Sequence, residues 1–283
     1  VLSGCSALPG AHTETVSGRQ LEFVANKKSG PVVVFENGLG ARMEWWGKVL
    51  PSLGNDISYF AYNRAGYGNS TPADAPRDGD HVVGELRSAL IEQKLQPPYV
   101  LVGHSLGGLF MQLFARKYPQ EVAALILVDS THPNQMDGAG AMEKQSPWVR
   151  GIVGALVTGT AKEELDLLSQ TGQQVLALPS LSGIPVFVLS ALEPMQETSD
   201  LARFTNEKRQ DIARLYPGSK QIWVPSGHAI PLEKPEAVVQ AIRWFDLNMT
   251  LDPGGLFARR DGQQAIGIDL EAHTDVHRPG HSR

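Results

Sequence analysis

The residues best suited to covalent chemistry are centred on a serine that lies between glycines. Residues 103–108 read Gly-His-Ser-Leu-Gly-Gly, directly after an apolar run at 99–102 and just before a helical pattern that begins at Leu109. A strand that turns sharply into a helix at a serine needs room around the turn, which Gly103 and Gly107 provide. The hydroxyl then stands clear of the sheet, at the positive end of the following helix. The pattern predicts Ser105 as a nucleophile.

Strand and helix patterns alternate on both sides of this serine. The apolar runs of strand length are 20–24, 31–35, 57–62, 99–102, 124–128, 184–189 and 221–224. Most are apolar on both faces, which is typical of parallel strands covered on both sides. Apolar residues at helical spacing occupy 45–53, 81–95, 109–118, 201–215 and 235–247. The alternation predicts a doubly wound α/β fold with a mostly parallel sheet.

The alternation stops between residues 134 and 183. Two helical patterns there, at 148–157 and 163–178, have no strand pattern between them. They predict a helical cap inserted after the run at 124–128, which we take as the sixth core strand. The predicted core is therefore 19–133 and 184–248. The small and polar residues 1–18 are predicted to form a linker, and the polar, glycine-rich residues 249–283 a peripheral or disordered tail.

Three motifs resemble the α/β-hydrolase superfamily, over about residues 32–245. The serine turn is the first. Residues 35–40, Phe-Glu-Asn-Gly-Leu-Gly, look like the loop after the family's third strand, with Asn37 where many members carry histidine. Residues 63–70, Asn-Arg-Ala-Gly-Tyr-Gly-Asn-Ser, are similar to the turn D-x-R-G-x-G-x-S, with asparagine in place of the acid. The resemblance implies the α/β-hydrolase fold and a serine hydrolase that cleaves carboxylic esters without a cofactor.

The resemblance also implies where negative charge on a substrate carbonyl would be stabilised. Family geometry provides two backbone N–H donors, one on the residue after the nucleophile and one on the loop after the third strand. These correspond to Leu106 and to Leu39 in the glycine loop, as we call residues 37–40. We expect Glu36 and Asn37 to hold this loop in place rather than to join the chemistry.

A serine needs a base, and the family places a histidine late in the chain. His228 follows the last predicted core strand, in the sequence Pro-Ser-Gly-His at 225–228, and is the predicted base. His104 adjoins the nucleophile but should point the wrong way along the turn. The other six histidines lie in predicted tails, at the start of a surface helix or beside the predicted acid; they are His12, His81, His132, His273, His277 and His281.

The acid that orients the histidine is less constrained by the pattern. Family members most often carry it after the seventh strand, where this chain offers only Glu193 nearby, with Asp200 farther on. The other family position is the end of the sixth strand, where Asp129 follows an apolar run. A charged side chain at the end of such a strand needs a partner, which an imidazole would supply. We therefore predict Asp129, with Glu193 and Asp200 as alternatives.

The expected ligand is a small-molecule ester held in an apolar pocket. Trp45, Trp46 and Trp148 are the predicted pocket residues, although core packing would explain some of them equally well. Two other functions stay open: a non-hydrolytic enzyme on the same fold, such as a lyase or cofactor-free peroxidase, and a ligand-binding protein with a degenerate site. The related dehalogenases and epoxide hydrolases use an aspartate nucleophile, which argues against them because Ser105 occupies that position.

Composition excludes some functions and points to a cellular location. A net charge of −5 with scattered Lys and Arg leaves no basic face for nucleic acid. The single cysteine, Cys5, excludes an internal disulfide. Residues 2–5, Leu-Ser-Gly-Cys, resemble the lipobox of bacterial lipoproteins. They predict a lipid anchor at Cys5 and the bacterial cell envelope, with a cytoplasmic or secreted protein as the alternative.

No metal site is predicted. Four possible ligands lie close together in the tail, but no framework fixes their geometry, so we expect a solvated polar segment; they are His273, Asp275, His277 and His281. No dinucleotide or P-loop motif is present. The oligomeric state is not indicated by the sequence.

Overall fold

A computed structural model describes residues 8–193, 195, 198–251 and 257–259. Its centre is an eight-stranded sheet in the order β1-β2-β4-β3-β5-β6-β7-β8. The pairs β1–β2 and β2–β4 are antiparallel and all the others are parallel. The strands are β1 His12–Val16, β2 Arg19–Asn26, β3 Val32–Glu36, β4 Ser58–Tyr62, β5 Tyr99–His104, β6 Val122–Val128, β7 Val186–Ala191 and β8 Lys220–Val224. The predicted doubly wound, mostly parallel sheet is confirmed.

The helices connect most of the parallel strands, and the last two helices follow β8. They are α1 Gly79–Glu92, α2 Leu106–Lys117, α3 Pro147–Leu156, α4 Gly159–Asp166, α5 Leu168–Ala177, α6 Asp200–Asp211, α7 Ile230–Glu233 and α8 Pro235–Asn248. Helix α2 packs on β3, β5 and β6 and also contacts α1 and α5. Almost every residue of α2 is therefore buried, which explains its apolar composition on all sides. None of the described helices is long and apolar enough to cross a membrane.

The central strands are buried along their whole length. Every residue of β3, β5, β6 and β7 is buried. This explains why their sequences are apolar throughout rather than alternating, because both faces of a central parallel strand are covered. The carboxyl ends of these strands share one edge of the sheet, where ligands bind in open α/β folds. Ser105 follows β5 and Asp129 follows β6 at that edge.

Between β6 and β7 the described residues contain helices and no strand, as the predicted cap requires. The cap holds α3, α4 and α5, preceded by two short 3-10 helices, Gly138–Gly140 and Met142–Lys144. The helical pattern at 163–178 is not one helix. Helix α4 ends at Asp166 and α5 begins at Leu168, so the chain changes direction at Leu167.

Two other elements differ from the sequence prediction. The predicted linker contains β1, whose polar residues pair with β2 across a turn at Ser17 and Gly18. An exposed edge strand of this kind lacks the apolar run by which buried strands are recognised. The predicted helix at 45–53 consists of two 3-10 helices, Met43–Trp46 and Leu50–Leu53, with Pro51 at the start of the second.

The chain divides into two compact units, residues 1–242 and 243–283. Within the second unit, β9 (Met249–Leu251) and β10 (Phe257–Arg259) pair antiparallel. This short hairpin occupies part of the predicted tail. The predicted anchor at Cys5 and the four tail residues weighed as metal ligands lie outside the described residues and stay untested.

Candidate active site

Ser105 lies on a tight turn between β5 and α2. Its backbone has φ 52° and ψ −123°, a left-handed conformation that non-glycine residues seldom adopt. Such strain persists only where surrounding structure enforces it, and it is typical of functional residues. Ser105 is the N-cap of α2, but its side chain makes no capping hydrogen bond. The hydroxyl is therefore not tied to its own helix.

The glycines around this turn are there because no side chain fits. A Cβ on Gly107 would lie 2.4 Å from the Glu36 backbone oxygen, and one on Gly103 would lie 2.6 Å from the Gly107 backbone oxygen. A Cβ on Gly38 would lie 3.2 Å from the Ser105 Cβ. The glycine loop, the turn and the start of α2 are thus packed backbone against backbone, which brings the loop beside Ser105.

His228 lies in the loop after β8, and its ring pairs with Asp129. Nδ1 of His228 is 2.6 Å from Oδ2 of Asp129. The His228 side chain is 52% exposed, whereas Asp129 is only 2% exposed. A buried carboxylate that accepts Nδ1–H directs the Nε2 lone pair outward, which is the tautomer that a general base requires. Ser105 Oγ makes no hydrogen bond to another of the described residues, so a Ser–His bond would have to form in a complex.

Asp129 is held by more than His228. Arg209 of α6 forms a bidentate ion pair with it, Nε to Oδ1 at 2.8 Å and Nη2 to Oδ2 at 3.0 Å. The backbone N–H of Ala191 donates to Oδ1 at 3.0 Å. Burial alone would raise the pKa of Asp129, but the His228 hydrogen bond and the Arg209 charge outweigh it and hold that pKa below its ordinary value. The carboxylate is thus ionised at neutral pH.

The alternative acids lie elsewhere. Asp200 pairs with Arg203 on the surface of α6, where its side chain is 81% exposed. Glu193 is exposed, and the only hydrogen bond described for it joins its backbone N–H to the Ser226 oxygen. Of the three candidate carboxylates, Asp129 is the one in contact with His228.

His104 supports the loop that carries His228. Its Nε2 is 2.9 Å from the His228 backbone oxygen, and its ring stacks on Trp45 with centroids 5.2 Å apart. Burial, with the nearby charge of His228, lowers the pKa of His104 to about 4. The ring is therefore neutral at pH 7 and donates from Nε2 to the carbonyl. The His104 ring also lies beside the His228 ring, with centroids 4.8 Å apart. That it points the wrong way along the turn to act as the base stays a prediction.

The two predicted oxyanion donors flank Ser105. Leu106 is the first residue of α2, where backbone N–H groups have no partner within the helix. Leu39 lies in the glycine loop, between Gly38, which packs on Ser105, and Gly40, whose N–H donates to the Tyr67 hydroxyl at 3.2 Å. Neither Leu39 N–H nor Leu106 N–H donates to another of the described residues.

A cavity of about 360 Å³ contains Ser105 and His228. This is within the range of small-molecule sites. Its other lining residues are mostly polar: Asp129, Ser130, Thr131, Gln135, Met195, Thr205 and Arg209.

The three predicted pocket tryptophans are not among the residues that line this cavity. Trp46 is fully buried against Phe35, which is the core-packing alternative. Trp148 is 76% exposed on α3. Trp45 reaches the site only through its stacking on His104. The apolar pocket stays a prediction.

Sequence reasoning missed the charged residues that brace the site. Arg209 belongs to a polar surface-type helix, and nothing in its surroundings along the chain indicated a partner in Asp129. Arg64 belongs to the turn motif at 63–70, but the sequence does not indicate its contacts with Glu36 and with Glu164 of the cap. Burial would lower the pKa of Arg64, but these two carboxylates raise it above its ordinary value.

Comparisons with known proteins identify the fold. Residues 31–154 match the family model described as alpha/beta hydrolase fold. YqjL of Bacillus subtilis is 36% identical over 118 residues, 41% of this chain and 47% of YqjL. The rat 1-acylglycerol-3-phosphate O-acyltransferase ABHD5 is 29% identical over 144 residues, 48% of this chain and 40% of ABHD5. The chain thus spans less than half the length of these relatives.

Solved structures agree over most of the chain. Cfl2 from Burkholderia cenocepacia has a TM-score of 0.63 at 19% identity, covering 83% of this chain and 95% of Cfl2. An epoxide hydrolase from hot-environment metagenomes has a TM-score of 0.65 at 17% identity, covering 85% and 99%. Est816, an N-acyl homoserine lactone degrading enzyme, has a TM-score of 0.59 at 16% identity, covering 83% and 100%. With the sheet order, these similarities show that the protein has the α/β-hydrolase fold.

Proposed function

We propose that the protein is a serine hydrolase that cleaves carboxylic esters through an acyl-enzyme on Ser105. The observation that carries the proposal is the buried Asp129 carboxylate on Nδ1 of His228, in the same cavity as a strained serine with an unengaged hydroxyl. An acid, an imidazole and a hydroxyl arranged in this way are the parts required for nucleophilic acyl transfer.

The chemistry follows from these positions. The Ser105 oxygen adds to the ester carbonyl while Nε2 of His228 takes the hydroxyl proton. Negative charge develops on the carbonyl oxygen, and the backbone N–H groups of Leu39 and Leu106 stabilise it by donating hydrogen bonds to that oxygen. As the C–O bond to the alcohol breaks, His228 returns the proton to the leaving oxygen. Water then adds to the acyl-enzyme with the same proton transfers, releasing the acid and restoring Ser105.

Asp129 stabilises the imidazolium that forms at each of these steps. Its carboxylate keeps the Nδ1–H tautomer in place and balances the transient positive charge. Because Arg209 and Ala191 also hold it, the carboxylate does not have to reorient when His228 becomes charged. Such preorganisation is what makes electrostatic stabilisation effective in an active site.

The identity of the nucleophile favours ester cleavage over epoxide opening. The fold alone does not distinguish the two reactions, because the structurally similar proteins include both an epoxide hydrolase and a lactone-degrading enzyme. Epoxide hydrolases of this fold use an aspartate nucleophile, and the strained turn here carries Ser105. A serine nucleophile suits acyl transfer, so the predicted substrate is a small-molecule ester.

Removal of one oxygen atom tests the proposal. Ser105→Ala should lower hydrolysis of nitrophenyl acetate and nitrophenyl butyrate to background, because the nucleophilic oxygen is lost. The unfolding temperature should not change, because that oxygen makes no hydrogen bond to another of the described residues. An organophosphate should label the wild type once and the variant not at all, as mass spectrometry would record. Full turnover by the purified variant would refute the assignment.

Product analysis separates the lyase from the esterase, and turnover with organophosphate labelling separates the binding protein. A lyase on this fold would retain the triad but convert a cyanohydrin to carbonyl compound and cyanide, which product analysis detects. A binding protein with a degenerate site would show neither turnover nor organophosphate labelling. The cellular location in the envelope through a lipid on Cys5 is a separate proposal, supported by the residues around that cysteine alone.

A further inference from the structure

A buried arginine joins the cap to the glycine loop. The side chain of Arg64 is 1% exposed, and each of its five N–H groups has an acceptor. Nε and Nη2 bind the Glu164 carboxylate at 2.8 and 2.9 Å, and Nη1 binds Glu36 at 2.6 Å. The two remaining donors reach backbone oxygens of the glycine loop, Asn37 at 2.6 Å and Gly38 at 3.0 Å.

Glu164 is the cap's contribution to this cluster. It belongs to α4, a largely polar helix whose other acidic residues face solvent, yet its own side chain is fully buried. Besides the bidentate pair with Arg64, it accepts a hydrogen bond from the Tyr67 hydroxyl at 2.7 Å. That hydroxyl in turn accepts the N–H of Gly40 at 3.2 Å. Glu164 thus reaches the glycine loop by two routes.

The bond to Gly38 has a consequence for the next N–H along the chain. In a trans peptide the C=O and the N–H of one unit point in opposite directions. The unit that carries the Gly38 oxygen also carries the Leu39 N–H. Because Arg64 binds that oxygen, the Leu39 N–H is directed away from Arg64. A Cβ on Gly38 would lie 3.2 Å from the Ser105 Cβ, so this peptide borders the nucleophile.

We propose that Glu164 and Arg64 are positioning residues that hold the Leu39 N–H toward the oxyanion, so that the cap sets the geometry of the oxyanion hole. This inference rests on the proposed function, because it assigns Arg64 and Glu164 to an oxyanion hole for ester cleavage. A backbone donor must be fixed before charge develops, since reorienting it during the reaction would cost part of the stabilisation. The buried ion pair provides that rigidity.

A purely structural role for the ion pair predicts a different kinetic result. An oxyanion hole acts in the transition state, so a misplaced Leu39 N–H lowers kcat and kcat/KM equally. A cap that is merely loosened would bind substrate less well and raise KM with little change in kcat. A lower kcat at unchanged KM therefore indicates positioning, and a higher KM at unchanged kcat indicates a purely structural role.

The test compares two neighbouring glutamates of α4 in the full chain. Glu164→Gln removes the charge and one acceptor of the bidentate pair, while Glu163→Gln makes the same change at an exposed position. Glu164→Gln should lower kcat for nitrophenyl acetate by about 10- to 100-fold with KM within about threefold. Inhibition by an alkyl trifluoromethyl ketone, whose serine adduct carries an oxyanion, should weaken by a similar factor. Glu163→Gln should match the wild type.

Tyr67→Phe is the second variant, in case Glu164→Gln does not fold. It removes one hydroxyl from the second route and leaves the ion pair intact, so kcat should fall several-fold with KM unchanged. Unaltered kcat and unaltered ketone inhibition in the folded variant, or an effect on KM alone, would overturn the inference. If instead the wild type lacks esterase activity, or Ser105→Ala retains it, the result refutes the proposed ester cleavage by Ser105. The kinetic effects of Glu164→Gln and Tyr67→Phe test the further inference separately.

Discussion

Asp129 shows how one residue is suited to its place by several independent contacts. It directly follows β6 with φ 40°, a left-handed conformation, and its side chain meets His228 in the loop after β8. There the carboxylate accepts from His228, Arg209 and Ala191. A buried carboxylate without such partners would be neutral, because burial disfavours the charged form. These contacts keep it charged beside the imidazole.

We therefore expect Asp129→Asn to lower kcat for nitrophenyl acetate by roughly 10³–10⁴-fold. The amide retains the shape of the carboxylate but can present an N–H to the ring, which favours the wrong histidine tautomer. Steady-state kinetics at saturating substrate would measure the loss.

Glu193→Gln provides the matched control, because Glu193 is exposed and, among the described residues, its side chain forms no hydrogen bond or ion pair with His228. Its kcat should lie within about twofold of the wild type. If Glu193→Gln were the more damaging change, the acid would belong to the loop after β7 and Asp129 would be a structural residue of the strand end.

At the scale of elements, the turn from β5 to α2 depends on the close approach of two backbones. The glycine pattern around Ser105 was readable from the sequence because this approach excludes any side chain. What the pattern could not indicate was the neighbour. The start of α2 packs against the backbone of Glu36 and Asn37, at the end of β3, about seventy residues earlier in the chain.

Substitution of Gly107 should reveal this packing. In Gly107→Ala the new Cβ would meet backbone oxygens at 2.4 and 2.5 Å, which cannot move independently, so unfolding free energy should fall by about 3 kcal/mol or more. Gly84→Ala in α1 is the control, because a Cβ there meets nothing within 4 Å. Alanine should stabilise that helix by about 0.5–1 kcal/mol. Urea unfolding of both variants measures the two effects, and equal stabilities would contradict the packing argument.

At the scale of the whole molecule, buried neutral histidines make stability depend on pH. Burial lowers the pKa of His104 and of His132 to about 4, whereas a histidine in an unfolded chain titrates near 6.5. Below pH 6.5 the unfolded chain therefore binds protons that the folded protein does not. Stability from these two residues is complete above pH 6.5 and is lost as the pH falls toward 4. Asp129 adds its own loss only below its ordinary pKa, at more acidic pH.

We expect each of the two histidines to account for about 2 kcal/mol of the stability lost between pH 7 and pH 5. His132→Gln should reduce that loss, because glutamine does not titrate and His132 lies outside the proposed triad. The difference between urea unfolding free energies at the two pH values is the measurement. An undiminished difference in the variant would mean that His132 is protonated in the folded protein.

The sequence determined the parts of this protein that depend on local geometry. The strand–helix alternation, the glycine-flanked turn at Ser105 and the late histidine turn are each encoded within a few consecutive residues, because backbone sterics and hydrophobic periodicity act over that range. These features predicted the α/β-hydrolase fold, the helical cap between β6 and β7, and the nucleophile and base that we propose.

The tertiary structure alone decided which distant side chains meet. Three carboxylates suited His228 by position along the chain, and only packing of the strand ends selected Asp129 as its contact, 99 residues away. Arg64 and Glu164 are 100 residues apart, and their pair forms only when the cap closes on the core. Ion pairs of this kind have no local pattern, because a charged residue in the sequence looks the same whether water or another charge surrounds it.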